Sequence, residues 1–134
     1  MKSLIGNKID LIIFAAFILI MIVSVISFNL FSPAGDIMKF VKDSFGNLGG
    51  VIVGSFYFIW RTNNRKLKTR LVIVFSVGLG LVIYEFLQIL IPWQTFDVKD
   101  IFGTFIGVVI ASILNVLLMT LKMFRKLENS NIDE

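Results

Sequence analysis

Charged residues in this chain gather in short clusters and leave long stretches with none. Leu11 to Leu30 is an uncharged, largely apolar run, and at a rise of about 1.5 Å per residue it covers the roughly 30 Å hydrocarbon thickness of a bilayer. Phe45 to Trp60 is also uncharged but shorter, so its helix is expected to begin a turn earlier, near Val41. Leu71 to Trp93 is a third run whose only charge is Glu85, with Pro92 near its end; proline offers no amide and disfavours helix in the residue before it, so the helix stops or bends there. Ile101 to Leu121 is a fourth uncharged run. The pattern predicts an all-α fold, a four-transmembrane-helix bundle with spans about 9–30, 42–60, 71–92 and 101–122 in a single integral membrane domain over 1–134. The connections are too short for a soluble domain, and no solenoid-period repeat or low-complexity tract is present.

Orientation follows from Lys and Arg, because short loops rich in them stay cytoplasmic. The 61–70 segment carries Arg61, Arg65, Lys66, Lys68 and Arg70; Lys2 and Lys8 precede the first run, and Lys122, Arg125 and Lys126 follow the fourth. The other two connections mix Lys39 and Lys42 with Asp36 and Asp43, and Lys99 with Asp97 and Asp100. Both termini are therefore expected inside. Composition agrees with a membrane protein: 57% of residues are apolar, 16% are charged and mean hydropathy is +0.89. A basic N-terminus ahead of an apolar run has the outline of a secretory signal, but this run is too long and lacks a small-residue cleavage pattern, so it reads as a retained span. The net charge of +4 is explained by topology and implies no nucleic acid. Without cysteine or histidine, disulfides, thiolate zinc sites, Ser-His-Asp and Cys-His nucleophiles and histidine switches are all excluded.

Lipid tails are as apolar as leucine, so spans associate through small residues and a few polar contacts. Gly103, Gly107 and Ala111 recur at intervals of four with Asn115 continuing the stripe, and Gly46, Gly50 and Gly54 do the same in the second span. These are expected docking faces, either between the two helices or across a homodimer; Ser76, Gly78 and Gly80 in the third span permit contact or a bend. Glu85 is the residue with the most to explain, because a carboxyl within a span is costly and usually faces a protein interior or an aqueous cavity. Gln88 shares its face three residues on. Counted back from Pro92, Glu85 lies about 10 Å below the outer end. Asp100 is placed to cap the fourth helix, and Thr104 follows one turn inward. Glu85, Gln88, Gln94, Asp97, Asp100 and Thr104 are thus expected to line one polar pocket open to the outside. The alternative is a protonated Glu85 that ties helices together with help from Gln88. Asp97 and Asp100 could offer oxygen ligands to a divalent cation, but two carboxylates make a weak metal signal, so no metal or other cofactor is expected.

The stretch Tyr84-Glu85-Phe86-Leu87-Gln88, then Ile91-Pro92-Trp93-Gln94-Thr95-Phe96-Asp97, then Lys99-Asp100-Ile101 and Thr104 through Gly107 resembles the VanZ-like membrane family. That family's signature runs roughly E-x-x-Q, I-P-x-R-x-F-D, D-[IV] and N-x-x-G. The resemblance fixes the spacing of Glu85, Gln88, Asp100 and Gly107. It departs at Gln94, where the family usually has arginine, and at Thr104, where it often has asparagine. The family's earlier Asp-Lys and histidine pattern is not matched; only Asp36, Lys39, Asp43 and Asn47 stand there. The resemblance implies a bacterial plasma-membrane protein whose namesake is associated with low-level teicoplanin resistance.

Together these point to a non-enzymatic binding or accessory protein whose outward pocket engages membrane lipid, an envelope glycolipid, a glycopeptide-like amphiphile or a partner protein. Two other classes stand beside it. One is a membrane enzyme acting on a lipid-linked envelope substrate, with Glu85 as general acid or base. The other is a small channel or transporter with Glu85 in a water path, which four short helices would form only as an oligomer.

Overall fold

The computed structural model describes residues 2–30, 35–63, 66–91, 93 and 96–132, and within them all side chains except those of 2–7, 29, 36–38, 41 and 125–132. The chain forms helices α1 (Lys2–Leu30), α2 (Asp36–Thr62), α3 (Leu67–Gln88) and α4 (Val98–Ile132). The fold is all-α, and its described backbone satisfies its amides and carbonyls almost entirely within helices, as a segment without access to water must. α2 is entered through Gly35 at φ 103, a left-handed conformation that favours glycine. It closes on Asn63 at φ 49, whose amide donates to the Trp60 carbonyl at 3.1 Å. α3 ends at Gln88, short of the span expected to run to residue 92. The amides of Ile89, Leu90 and Ile91 reach back three residues to Phe86, Leu87 and Gln88, so the chain tightens into a 3₁₀-like turn as it approaches the proline. α4 has 35 residues, about 52 Å of helix, and so runs well past the span expected to end at 122.

Successive helices alternate in direction. α1 lies antiparallel to α2, with Phe14 against Tyr57 and Phe28 against Phe45 (ring centroids 5.6 and 6.0 Å). α2 is the central helix, packed against α1, α3 and α4. Its core residues Val51, Ile52, Phe56 and Ile59 close with Val74 of α3 and Ala111 of α4. The small residues set the spacing. A Cβ on Gly103 would stand 2.2 Å from the Ser44 carbonyl oxygen, and one on Gly107 2.7 Å from that of Leu48, so the α4 stripe holds α4 backbone-to-backbone on α2. The α2 glycines do not form the opposing half of that contact. Gly50 and Gly54 face Leu81 and Val77 of α3, and Gly49 faces Met21 of α1. A helix surrounded on three sides spends its small residues on more than one neighbour.

Three segments, Lys8–Phe28, Leu67–Gln88 and Val98–Phe124, are long and apolar enough to cross a membrane. The most apolar window of the first has none of its residues buried. Leu19, Ile22, Val25, Phe75, Leu79, Ile83, Phe105, Val109 and Ile113 are all exposed, a continuous apolar coat far beyond what a water-soluble monomer presents. The chain is a membrane protein by this measure. α2 falls outside the three segments because its lysines, aspartates, asparagine and glycines lower its hydropathy, and its apolar residues are turned into the core.

Candidate functional site

Polar side chains are buried at both ends of the helices, and the two clusters differ in kind. The first lies where α3 stops and α4 starts. Glu85, 2% exposed, accepts a hydrogen bond at Oε1 from Asn47 Nδ2 of α2 at 2.8 Å. Its Oε2 is buried with no hydrogen-bond partner among the described residues, and the same holds for Ser44 Oγ, one turn before Asn47. Because α3 ends at Gln88, Glu85 sits about 4.5 Å inside the helix end, shallower than the depth counted from Pro92. Thr104 is buried, and its hydroxyl donates to the Asp100 carbonyl at 2.9 Å. Capping falls to a different aspartate from the one expected: Asp97, just before α4, accepts the Lys99 amide at 2.9 Å through Oδ1, while Asp100 stands inside the first turn. Lys99 Nζ pairs with Asp43 at 2.8 Å and approaches Asp97 at 3.9 Å. Glu85, Asp97, Asp43 and Lys99 all lie within electrostatic reach of Asp100, and Lys42 and Lys39 lie within reach of Asp43, so the cluster sets four acids against three lysines.

Of the six residues expected to line one open pocket, Glu85, Asp97, Asp100 and Thr104 come together here. Glu85 and Thr104 are enclosed, whereas Gln88, Asp97 and Asp100 are half-buried. Gln94 and Pro92 lie outside the described residues. A cavity of about 350 Å³ opens elsewhere, between α2 and α3, lined by Phe58, Val72, Ile73, Ser76 and Val77; none of the six lines it. Among the described residues no three of His, Cys, Asp and Glu gather as a metal site would require.

The second cluster was not anticipated. Arg70, grouped by sequence with the basic loop, belongs to the first turn of α3 and is 1% exposed. Its Nη1 and Nη2 donate to the two carboxylate oxygens of Asp10 in α1, at 2.9 and 2.5 Å. Its Nε donates to Asn115 Oδ1 of α4 at 2.6 Å, and Asn115 Nδ2 donates in turn to the Ala111 carbonyl at 2.8 Å. One guanidinium therefore joins three helices, the planar fork matching the carboxylate as a bidentate pair does. The usable signals were Asp10 embedded between Ile9 and Leu11, and Asn115 alone in an uncharged span: each needs a polar partner in an apolar setting. Arg61, at the end of α2, and Lys68, in α3, also sit in helix where the sequence suggested loop. Arg65 and the side chains of Lys2, Asp36, Arg125 and Lys126 lie outside the described residues.

The two clusters occupy opposite ends. Fifteen residues separate Arg70 from Glu85 along α3, about 22 Å, and the Val51, Ile52, Phe56, Val74 and Ala111 core lies between. No protein-family model, curated protein or solved structure matches the chain.

Proposed function

We propose that the chain is a four-span protein of a bacterial plasma membrane with both termini in the cytoplasm. Its acidic α3–α4 end would then face outward as a recess for the polar head of an envelope lipid or glycopeptide-like amphiphile. In this reading it acts as a VanZ-like accessory factor in envelope-antibiotic, teicoplanin-type resistance. α2 is the fourth span: it runs parallel to α4 in register, Ser44 beside Gly103 and Leu48 beside Gly107, and the other helices supply the apolar coat it lacks. Lys8, Arg61, Lys66 and Lys68 are exposed at the opposite end, which supports the inside assignment for that end. Glu85, Gln88, Asp97 and Asp100, which resemble the VanZ-like pattern, belong to the acidic end, while Gly107 of the same pattern packs deeper, against Leu48 and Val51; this clustering supports the reading.

The observation that carries the reading is the Glu85 carboxylate. It is held by Asn47 on one oxygen and, among the described residues, unpartnered on the other, within a turn of the helix end. Burial of such a group without full pairing is expensive and marks a place where something else is received. Binding is favoured over catalysis because, among the described residues, the Glu85 carboxylate is hydrogen-bonded to the Asn47 amide and to no hydroxyl that it could activate as a nucleophile. It is favoured over conduction because the apolar core separates the two polar ends. The test is Glu85→Gln in cells. Altered sensitivity to envelope-active amphiphiles at an unchanged membrane level is expected, and unchanged sensitivity at that level would contradict the reading.

A further inference from the structure

The atoms left over where α2, α3 and α4 meet at the acidic end share one requirement. Glu85 Oε2 can only accept while the carboxylate is charged, and Ser44 Oγ can accept as well as donate; both are buried and without a partner among the described residues. Asp100 adds a second, half-buried carboxylate, and Asp97 and Asp43 lie close by. The cation facing Asp100 is Lys99, whose ammonium is engaged by Asp43 and Asp97, and the exposed Lys42 and Lys39 act on Asp43, which leaves Glu85 and Asp100 as the acids without a lysine of their own. A partly dehydrated site with surplus acceptors and negative charge favours a group with several donors and a positive charge of its own. A carbonyl or phosphate would be repelled, and a hydroxyl would leave the charge unbalanced.

We propose that this node is the binding site for a primary ammonium group, as carried by the aminated head of a membrane amphiphile. It rests on the reading of the acidic end as a head-group recess and adds the chemistry of the head. Three N–H donors suit Glu85 Oε2, Ser44 Oγ and the Asp100 carboxylate. The depth suits a head group too: Glu85 is in the last turn of α3 and Asp100 in the first of α4. A quaternary ammonium brings the charge but no N–H, so it loses the hydrogen bonds that distinguish this site.

The experiment uses the full chain in lipid nanodiscs and reads the thermal unfolding midpoint. The discs contain phosphatidylglycerol alone, with phosphatidylethanolamine, or with phosphatidylcholine; a fourth arm adds soluble ethanolamine to the first. The expected result is a rise of a few degrees with phosphatidylethanolamine, none with phosphatidylcholine, and loss of the rise in Glu85→Gln. A rise with soluble ethanolamine as well assigns recognition to the amine itself, and its absence assigns it to the lipid-borne amine; both support the proposal. Equal rises from the two zwitterionic lipids, or a rise retained in Glu85→Gln, overturn it. So does an equal rise when sodium chloride replaces choline chloride, which would assign the node to an inorganic cation. If Glu85→Gln does not assemble, Ser44→Ala takes its place, and an undiminished rise there overturns the proposal. Failure of the amine with altered amphiphile sensitivity in Glu85→Gln removes the ammonium and leaves the head-group recess. Normal sensitivity in that variant removes the recess instead.

Discussion

Asp10→Asn tests the energetics of the helix assembly most severely. The Arg70 guanidinium is 1% exposed, so the change leaves its charge buried while withdrawing the opposing one; breaking a buried pair from one side costs about 3–5 kcal/mol. Asparagine keeps one acceptor oxygen, which puts the expected loss at the lower end, about 3 kcal/mol, or roughly two decades in the folding equilibrium. Arg70→Met strands the Asp10 carboxylate in the same way and should cost a similar amount. Asp10→Leu combined with Arg70→Met removes both charges and replaces them with side chains that pack, so it should be less damaging than the sum of the singles by at least about 2 kcal/mol. Asn115→Leu withdraws the Nε acceptor together with the amide's own bond to the Ala111 carbonyl, and should cost about 1 kcal/mol, in the range of interhelical hydrogen bonds in membrane proteins. The assay is a double-mutant cycle read by reversible unfolding in mixed micelles. A coupling energy within about 0.5 kcal/mol of zero, the limit expected for independent sites, would refute the reasoning, because the pair would then be joined in space but not in energy.

The glycines separate packing from propensity. Gly103→Ala drives a methyl into the Ser44 carbonyl and should destabilise by about 1–3 kcal/mol as overpacking does. Gly80→Ala meets nothing within 4 Å and should be neutral to stabilising by up to about 1 kcal/mol. The reverse order in an unfolding series would contradict the α2–α4 contact. Asn47→Leu takes the donor from Glu85 and should lower stability by about 1–3 kcal/mol, an effect that Asn47→Gln at the same site reduces only if the longer amide still reaches. Lys99→Ala removes an exposed pair with Asp43 and should leave the unfolding midpoint unchanged, since such pairs are screened and entropically costly to hold.

What was legible in the sequence was the part governed by hydrocarbon: apolar runs near Leu11–Leu30, Leu71–Trp93 and Ile101–Leu121 correspond to α1, α3 and α4. Helix ends were less legible, because hydrogen bonding continues where hydropathy stops. α2 starts at Asp36, well before Val41, and α4 extends to Ile132. The acidic end was readable from Glu85, since a lone carboxyl in an apolar run stands out. Its partner Asn47 was not, because an asparagine near the start of a helix has many ordinary uses. Arg70 was hidden by its company. Four basic neighbours suggested a solvated loop, and only three-dimensional pairing with Asp10, sixty residues away, turns the last of that run inward. The glycine stripes announced close packing but not their partners, since spacing identifies a face and not the helix that meets it.

The central claim is that the acidic end, with Glu85 and Asp100, looks outward, and the end with Arg70 looks into the cell. A chain without cysteine allows this to be tested with single cysteines at Trp93, 83% exposed beside the acidic end, and at Asn63, exposed between α2 and α3. With a membrane-impermeant maleimide on intact cells, Trp93→Cys should be labelled at once and Asn63→Cys only after the membrane is opened. Labelling of Asn63→Cys in intact cells with Trp93→Cys protected would invert the molecule and contradict the account; labelling of both from one side would contradict the odd number of crossings between them.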